Sequence, residues 1–167
     1  MKVLKLITYF VLMQFAVVIA QEKGTLGKIP NLDLKLLNGK KTNVYKLLES
    51  GPLLIDFWAT WCKPCLDEIP SLNKLQVNEK FKSLKIIPIN VGQEPISNSI
   101  NFFKKLKIEN LDIFFDKNIN LPKKFSLRGL PTSILLNKNG EEFARIIGAI
   151  DFNDEDFIKW LLTYDKN

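Results

Sequence analysis

Leu53 to Pro70 reads LLIDFWATWCKPCLDEIP. Its first six residues are apolar except for Asp56, and Gly51-Pro52 breaks the chain just before them. A short apolar run bounded by turn residues is the pattern of a strand buried on both faces, as in the middle of a parallel sheet. From Lys63 onward, Leu66, Ile69, Leu72 and Leu75 recur at helical spacing, with charges between them and Pro64 in the first turn. Between strand and helix lie Cys62 and Cys65, the only two cysteines in the 167-residue chain. The stretch thus predicts a buried strand, a turn, and a helix that begins at a Cys-x-x-Cys.

The flanking sequence extends this pattern. Residues 31–50, NLDLKLLNGKKTNVYKLLES, read as a hairpin and a short helix. Leu32, Leu34 and Leu36 alternate with polar residues, and Asn38-Gly39 is a strong hairpin signal. LKIIPINV (84–91) is a second buried-type strand. SNSINFFKKLKI (97–108) is an amphipathic helix with Ile100, Phe103 and Leu106 on its expected inner face. LDIFFD (111–116) is a third strand candidate, and NLPKKFSL (120–127) a short helix. PTSILLNKNGEEFARIIGA (131–149) reads as strand, Asn139-Gly140 turn, strand. A last helix is expected from Asp154 to Tyr164, with Phe157, Trp160 and Leu161 turned inward. Strands alternating with helices, closed by a hairpin and a helix, predict an α/β sandwich around a mixed sheet.

Composition narrows the functions. The chain is 46% hydrophobic and 25% charged, ordinary for one globular domain. Its formal charge is +6, but the lysines are scattered, so nucleic acid is not an expected partner. With no histidine, Ser-His-Asp and Cys-His catalysis and histidine-ligated metals are excluded. Residues 1–20, MKVLKLITYFVLMQFAVVIA, carry Lys2 and Lys5 before an apolar run, with Val18 and Ala20 preceding a cleavage point. That is the layout of a secretory signal; the alternative is an uncleaved membrane anchor. Residues 21–28 read as a polar leader and 29–167 as the domain. Export to the periplasm or the outer face of the cytoplasmic membrane is the expectation.

Three uses of the cysteine pair are open. A metal site needs about four ligands, and two thiolates without histidine do not supply them, so no metal is expected. A structural disulfide across two intervening residues closes a very small loop and contributes little stability. A redox dithiol fits the context best. The helix N-terminus stabilises a thiolate at Cys62, Lys63 adds positive charge, and Cys65 lies nearly one turn deeper, ready to resolve a mixed disulfide. The disulfide itself is then the redox group and no separate cofactor is expected.

LLIDFWATWCKPCLDEIP, taken with RGLPTSILLNKNGE (128–141), resembles the thioredoxin superfamily. Within it the chain is similar to the exported thiol–disulfide reductases of the TlpA/ResA group. The resemblance spans roughly Ile29 to Leu162, including the N-terminal hairpin and the insertion-like VGQEPISNSINFFKKL (91–106). It implies a thioredoxin-like three-layer sandwich and several roles. Asp56 would take the proton of the resolving Cys65; the plain alternative is a strand-end carboxylate bonded to backbone or water. That group often carries asparagine here, so Asp56 departs toward plain thioredoxin. Glu68 would sit beside the thiols and tune their acidity; the alternative is an exposed acid near a helix start, which is how Asp67 is read. Leu130-Pro131-Thr132 would carry a cis-proline and present the Leu130 backbone to an extended substrate, as in strand addition. Trp61 would form site surface, with Trp58 either flanking the site or in the core. Lys63, Lys123, Lys124 and Arg128 are either a basic rim or scattered solvated charges.

The resemblance implies a reductase of exported protein disulfides, with apocytochrome c thiols among its substrates and a membrane electron donor. A disulfide-forming oxidase and a non-catalytic exported binding domain with a permanent disulfide are the alternatives.

Overall fold

The computed structural model describes residues 27–36, 39–116 and 120–164. The expected signal and most of the leader lie outside those residues. Among the described residues, no helix is long and apolar enough to cross a membrane.

The strands are β1 (Asp33–Leu36), β2 (Lys41–Asn43), β3 (Leu53–Trp58), β4 (Lys85–Asn90), β5 (Phe114–Phe115), β6 (Thr132–Leu136) and β7 (Glu142–Ile147). The helices are α1 (Val44–Leu48), α2 (Lys63–Gln76), α3 (Ile96–Lys105), α4 (Asn120–Lys124) and α5 (Glu155–Leu161), plus a 3₁₀ turn over Glu79–Phe81. One mixed sheet runs in the order β2-β1-β5-β4-β3-β6-β7. β3 pairs parallel with β4 and antiparallel with β6. It is therefore the buried centre that its apolar run requires. The N-terminal hairpin adds to the sheet antiparallel to β5.

Alternation along β3 sorts the core into two layers. Leu53, Ile55 and Phe57 join Val44, Leu48, Leu121 and Phe125 on one face of the sheet. Leu54 and Trp58 join Ile69, Leu72 and Leu75 of α2, Phe103 of α3, and Phe157 and Leu161 of α5 on the other. By the same alternation Asp56 points to the α2 face. This is the thioredoxin-like three-layer sandwich expected from the sequence.

Two expected faces differ. On α3, Ile100 and Leu106 are 40% and 39% exposed, while Ser99 and Phe103 are buried. Ser99 takes the inner position because its hydroxyl accepts a bond from the buried Asn90 side chain at 3.1 Å. Phe102 and Phe103 then pack on Trp58, with ring centroids 5.7 and 5.6 Å away. Leu106 follows the end of the helix, and Ile108 returns to the core beyond Lys107, whose φ is 52°. On α5, Ile158 is buried, whereas Trp160 is only partly covered, against Phe143 and Phe157.

Candidate active site

β3 ends at Trp58, and the chain turns at once: the Cys62 N–H donates to the Ala59 carbonyl at 3.1 Å. Cys62 caps α2, its sulfur accepting from the Cys65 N–H at 3.3 Å, with Pro64 in the first turn. Cys62 and Cys65 form a disulfide, S–S 2.02 Å and Cα–Cα 5.3 Å. Both are buried, Cys65 completely. The order expected from the sequence holds: the outer sulfur belongs to Cys62. Pro70 sits inside α2, where its missing N–H leaves the Leu66 carbonyl without the usual helical donor.

Lys63 pairs with Asp67 across one turn, and both side chains are exposed. Asp67 is thus the solvated acid it was read as, and it takes up the charge that Lys63 was expected to bring to Cys62. Trp61 is 68% exposed. It lines a groove of about 520 Å³ with Val91–Gln93, Pro122 and Leu127–Leu130, Arg128 among them. Trp58 is core.

The Leu130-Pro131 bond is cis. Thr132 pairs with Phe57, and that register sets the Leu130–Pro131 segment at the same end of the sheet as the cysteines. The Thr132 hydroxyl donates to the Gly129 carbonyl at 2.8 Å, and the Pro131 carbonyl accepts from the Gly148 N–H at 3.0 Å.

Asp56 is fully buried, opposite Ser133 in the β3–β6 register. The Ser133 hydroxyl donates to Asp56 Oδ1 at 2.9 Å. Glu68 is only 2% exposed, so the exposed-acid alternative fails. Its Oε2 accepts from the Ile150 N–H at 3.3 Å. The remaining oxygens, Asp56 Oδ2 and Glu68 Oε1, have no donor among the described residues. The two carboxyl groups meet each other across the α2–β3 interface. Burial pushes Asp56 up to about 7, against the bonds from Ser133 and Glu68. Burial and then the Asp56 charge push Glu68 up to about 10. A single proton between the two free oxygens satisfies both.

One polar network escaped the sequence reading. Glu94 Oε1 accepts from the Thr60 N–H at 2.9 Å and from the Asn90 side chain at 2.8 Å. Asn90 also bonds Ser99, as above, and accepts from the Gly92 N–H at 2.9 Å. Burial raises the Glu94 carboxyl, but the bonds from Asn90 and Thr60 outweigh it and the net shift is downward. A side chain at Gly92 would strike Glu94 Oε2 at 1.7 Å. The residues between β4 and α3 are thereby fastened to the turn that carries Trp61 and Cys62. Only an acid in a Gly-x-x-Pro stretch hinted at this, since the partner lies 34 residues earlier.

The Redoxin family matches residues 9–156. The chain belongs to that family. A thiol-disulfide oxidoreductase ResA of Bacillus cereus is 35% identical over 129 residues, covering 77% of this chain and 73% of the relative. ResA of Bacillus subtilis is 29% identical over 121 residues, 72% and 66% of the two chains. StoA of Bacillus subtilis has the same fold, with a TM-score of 0.65 at 23% identity over 81% of this chain and 96% of its own. A Chlorobium tepidum structure described as a thiol:disulfide interchange protein DsbE gives 0.73 at 24% identity, over 84% and 97%. This Redoxin protein is a thiol–disulfide oxidoreductase of ResA-like type carrying the Cys62–Cys65 pair. Among the described residues no cluster of three or more Cys, Asp and Glu side chains is placed to hold a metal ion.

Proposed function

We propose that this protein is an exported reductant of disulfides in other exported proteins. The observation that carries the direction is the charge around the thiols. A strong oxidant stabilises its reduced, thiolate form. Here Lys63 is engaged by Asp67, and Glu68, three positions after Cys65 on α2, meets Asp56 under that helix with no cation paired to either acid among the described residues. Negative charge at low dielectric disfavours a Cys65 thiolate, which favours giving electrons away.

In this reading the Cys62 thiolate, stabilised by the helix N-terminus, attacks a substrate disulfide. The substrate S–S bond breaks, a mixed disulfide forms, and one substrate thiolate leaves. Cys65 then loses its proton to the buried acids and attacks Cys62 Sγ. The mixed disulfide breaks, the Cys62–Cys65 bond forms, and the second substrate thiolate departs, so two electrons have passed to the substrate. Trp61 and Leu130, which line the groove, with the cis-Pro131 and Thr132 that follow at the same end of the sheet, would hold the substrate strand. Apocytochrome c thiols are a proposed substrate class, and a membrane donor would restore the dithiol. The apolar N-terminal run behind Lys2 and Lys5 supports export.

The reduction potential of the Cys62–Cys65 couple, set against defined thiol buffers, tests the direction. A value at or below about −270 mV is expected, and one near −120 mV would make the protein an oxidase. A Cys62→Ser protein that still binds its partner and loses nothing would point to a binding domain.

A further inference from the structure

The sequence leaves Lys63, Lys123, Lys124 and Arg128 as either a basic rim or scattered charges, and the fold separates them. Lys63 is bound to Asp67. Arg128 instead lines the groove of about 520 Å³ with Trp61, Gly92, Pro122 and Leu130. It is exposed, and among the described residues no carboxylate or carbonyl engages its guanidinium. Lys123 and Lys124 follow Pro122 on α4 and are exposed as well. No acid is among the described residues that line this groove.

The chain uses lysine for nearly all its positive charge, and Arg128 and Arg145 are its only arginines. Arg145 closes its fork on Glu142, Nε and Nη2 each meeting one carboxylate oxygen. Arg128 carries the same fork with nothing on it among the described residues, in a groove shared with the 68% exposed Trp61. Exposed tryptophan and arginine are residue types that dominate binding at protein interfaces. A guanidinium matches both oxygens of a carboxylate, which an ammonium cannot do. Acids on the adjoining segments are engaged elsewhere: Glu94 with Thr60 and Asn90, and Asp116 with the Leu121 N–H. Arg128 precedes Leu130 by two residues, so their Cα atoms lie within about 7 Å. An extended peptide advances about 3.3 Å per residue. A carboxylate two or three positions from the residue seated at Leu130 therefore comes within reach of the fork.

We propose that Arg128 makes this site selective for acidic substrates, its guanidinium pairing with an Asp or Glu carboxylate within three residues of the substrate cysteine. Selectivity of this kind rests on the dithiol exchange through Cys62 proposed above, but not on its direction, because the same mixed disulfide forms either way. Lys123 and Lys124 add positive field that hastens the encounter, and the fork fixes the register of the bound strand. A lysine at the same substrate position meets an unpaired cation and is disfavoured.

The test measures how fast Cys62, in a Cys65→Ser protein, forms the mixed disulfide with three peptide dimers, each joined by one disulfide. The dimers differ only at the positions two residues to either side of the cysteine, which hold glutamate, glutamine or lysine. In each reaction the peptide S–S bond breaks, Cys62 keeps one peptide, and the other leaves as its thiolate. The glutamate dimer is expected to react about 10-fold or more faster than the lysine dimer at low ionic strength, the size of one charge-assisted bond. That ratio should shrink in about 1 M salt. Arg128→Glu should invert the order. Arg128→Lys should keep glutamate first by a smaller ratio, since the charge stays and the fork goes. Lys138→Glu makes a like charge change in the β6–β7 turn, at the far end of the sheet, and should hold the ratio within about two-fold of the unsubstituted one. Taking the ratio within each protein cancels any general loss of reactivity in a variant. Equal rates for the three dimers would overturn the substrate class, and a ratio untouched by Arg128→Glu would overturn the role of Arg128. Equal falls in Arg128→Glu and Lys138→Glu would reduce the effect to net charge and overturn it too. Failure of exchange itself looks different: Cys62 then captures none of the dimers, glutamine included, and both readings fall.

Discussion

Glu142 and the Asp56–Glu68 pair are buried carboxyl sites on the same sheet, and they are neutralised in opposite ways. Glu142 receives the Arg145 fork, Nε to Oε1 at 2.7 Å and Nη2 to Oε2 at 2.8 Å, while Arg145 Nη1 donates to the Phe125 carbonyl at 2.7 Å. Every strong donor there has a fixed acceptor, and the charge stays where it is. Among the described residues, no cation pairs with Asp56 or Glu68. One proton between them does the same electrostatic work, and a proton can be given up. The difference separates an acid that holds β7 to the neighbouring layer from acids suited to chemistry.

The widest separation between the two sites is in activity. Cys62→Ser should reduce insulin-disulfide reduction to background, whereas Arg145→Met should leave it within about two-fold, since no thiol depends on Glu142. Loss of activity in Arg145→Met at full folding would erase the distinction. In stability the order reverses. Arg145→Met strands a buried carboxylate and should cost about 3–5 kcal/mol in denaturant unfolding, the usual penalty for breaking a buried pair.

The pH dependence of stability comes next in size. Asp56 titrates near 3.8 when unfolded and at about 7 in the fold. Its folded form therefore holds the proton more tightly, so the contribution is complete below about pH 4 and is lost as pH rises through 7. Glu68, raised from 4.5 to about 10, prolongs the decline into alkaline solution. Unfolding free energy should fall from pH 4 to pH 8 by up to about 4 kcal/mol on account of Asp56. Asp56→Asn should remove the Asp56 share of the decline and leave the share that Glu68 carries from about pH 4.5 upward. Stability that climbs over the same interval would contradict the shared-proton reading.

Glu94 offers the smallest effect and a third arrangement, a carboxylate held by neutral donors. Glu94→Gln keeps the shape but weakens the bonds to Thr60 and Asn90. A loss of about 1 kcal/mol and a few-fold slower insulin reduction are expected. No change in either would mean that the turn carrying Cys62 holds its position unaided.

Local features of the chain were legible because their causes are local. The apolar run of β3, Pro64 at the start of α2, the alternation in the hairpin and the Asn139-Gly140 turn each act within a few residues, and each produced the expected element. The placement of Cys62 at a helix N-terminus with Cys65 deeper follows from the same short-range rules. The faces of α3 were misread because Ser99, a polar residue, has a buried acceptor role that only Asn90 on β4 creates. Glu68 was ambiguous for a similar reason. Nothing in LDEIP distinguishes an exposed acid from one turned under the helix toward a carboxyl on β3.

By itself, then, the sequence determined a strand, a turn and a helix with a dithiol at its start, and through them the fold class. The tertiary structure alone decided which acids lose their water. Asp56 is buried because β4 and β6 close over both edges of β3, and Glu68 because α2 lays that turn on the sheet. Whether a carboxyl then meets a cation, a neutral donor or another carboxyl depends on strand register and helix rotation. Those are set by packing over the whole domain, and no short stretch of residues encodes them.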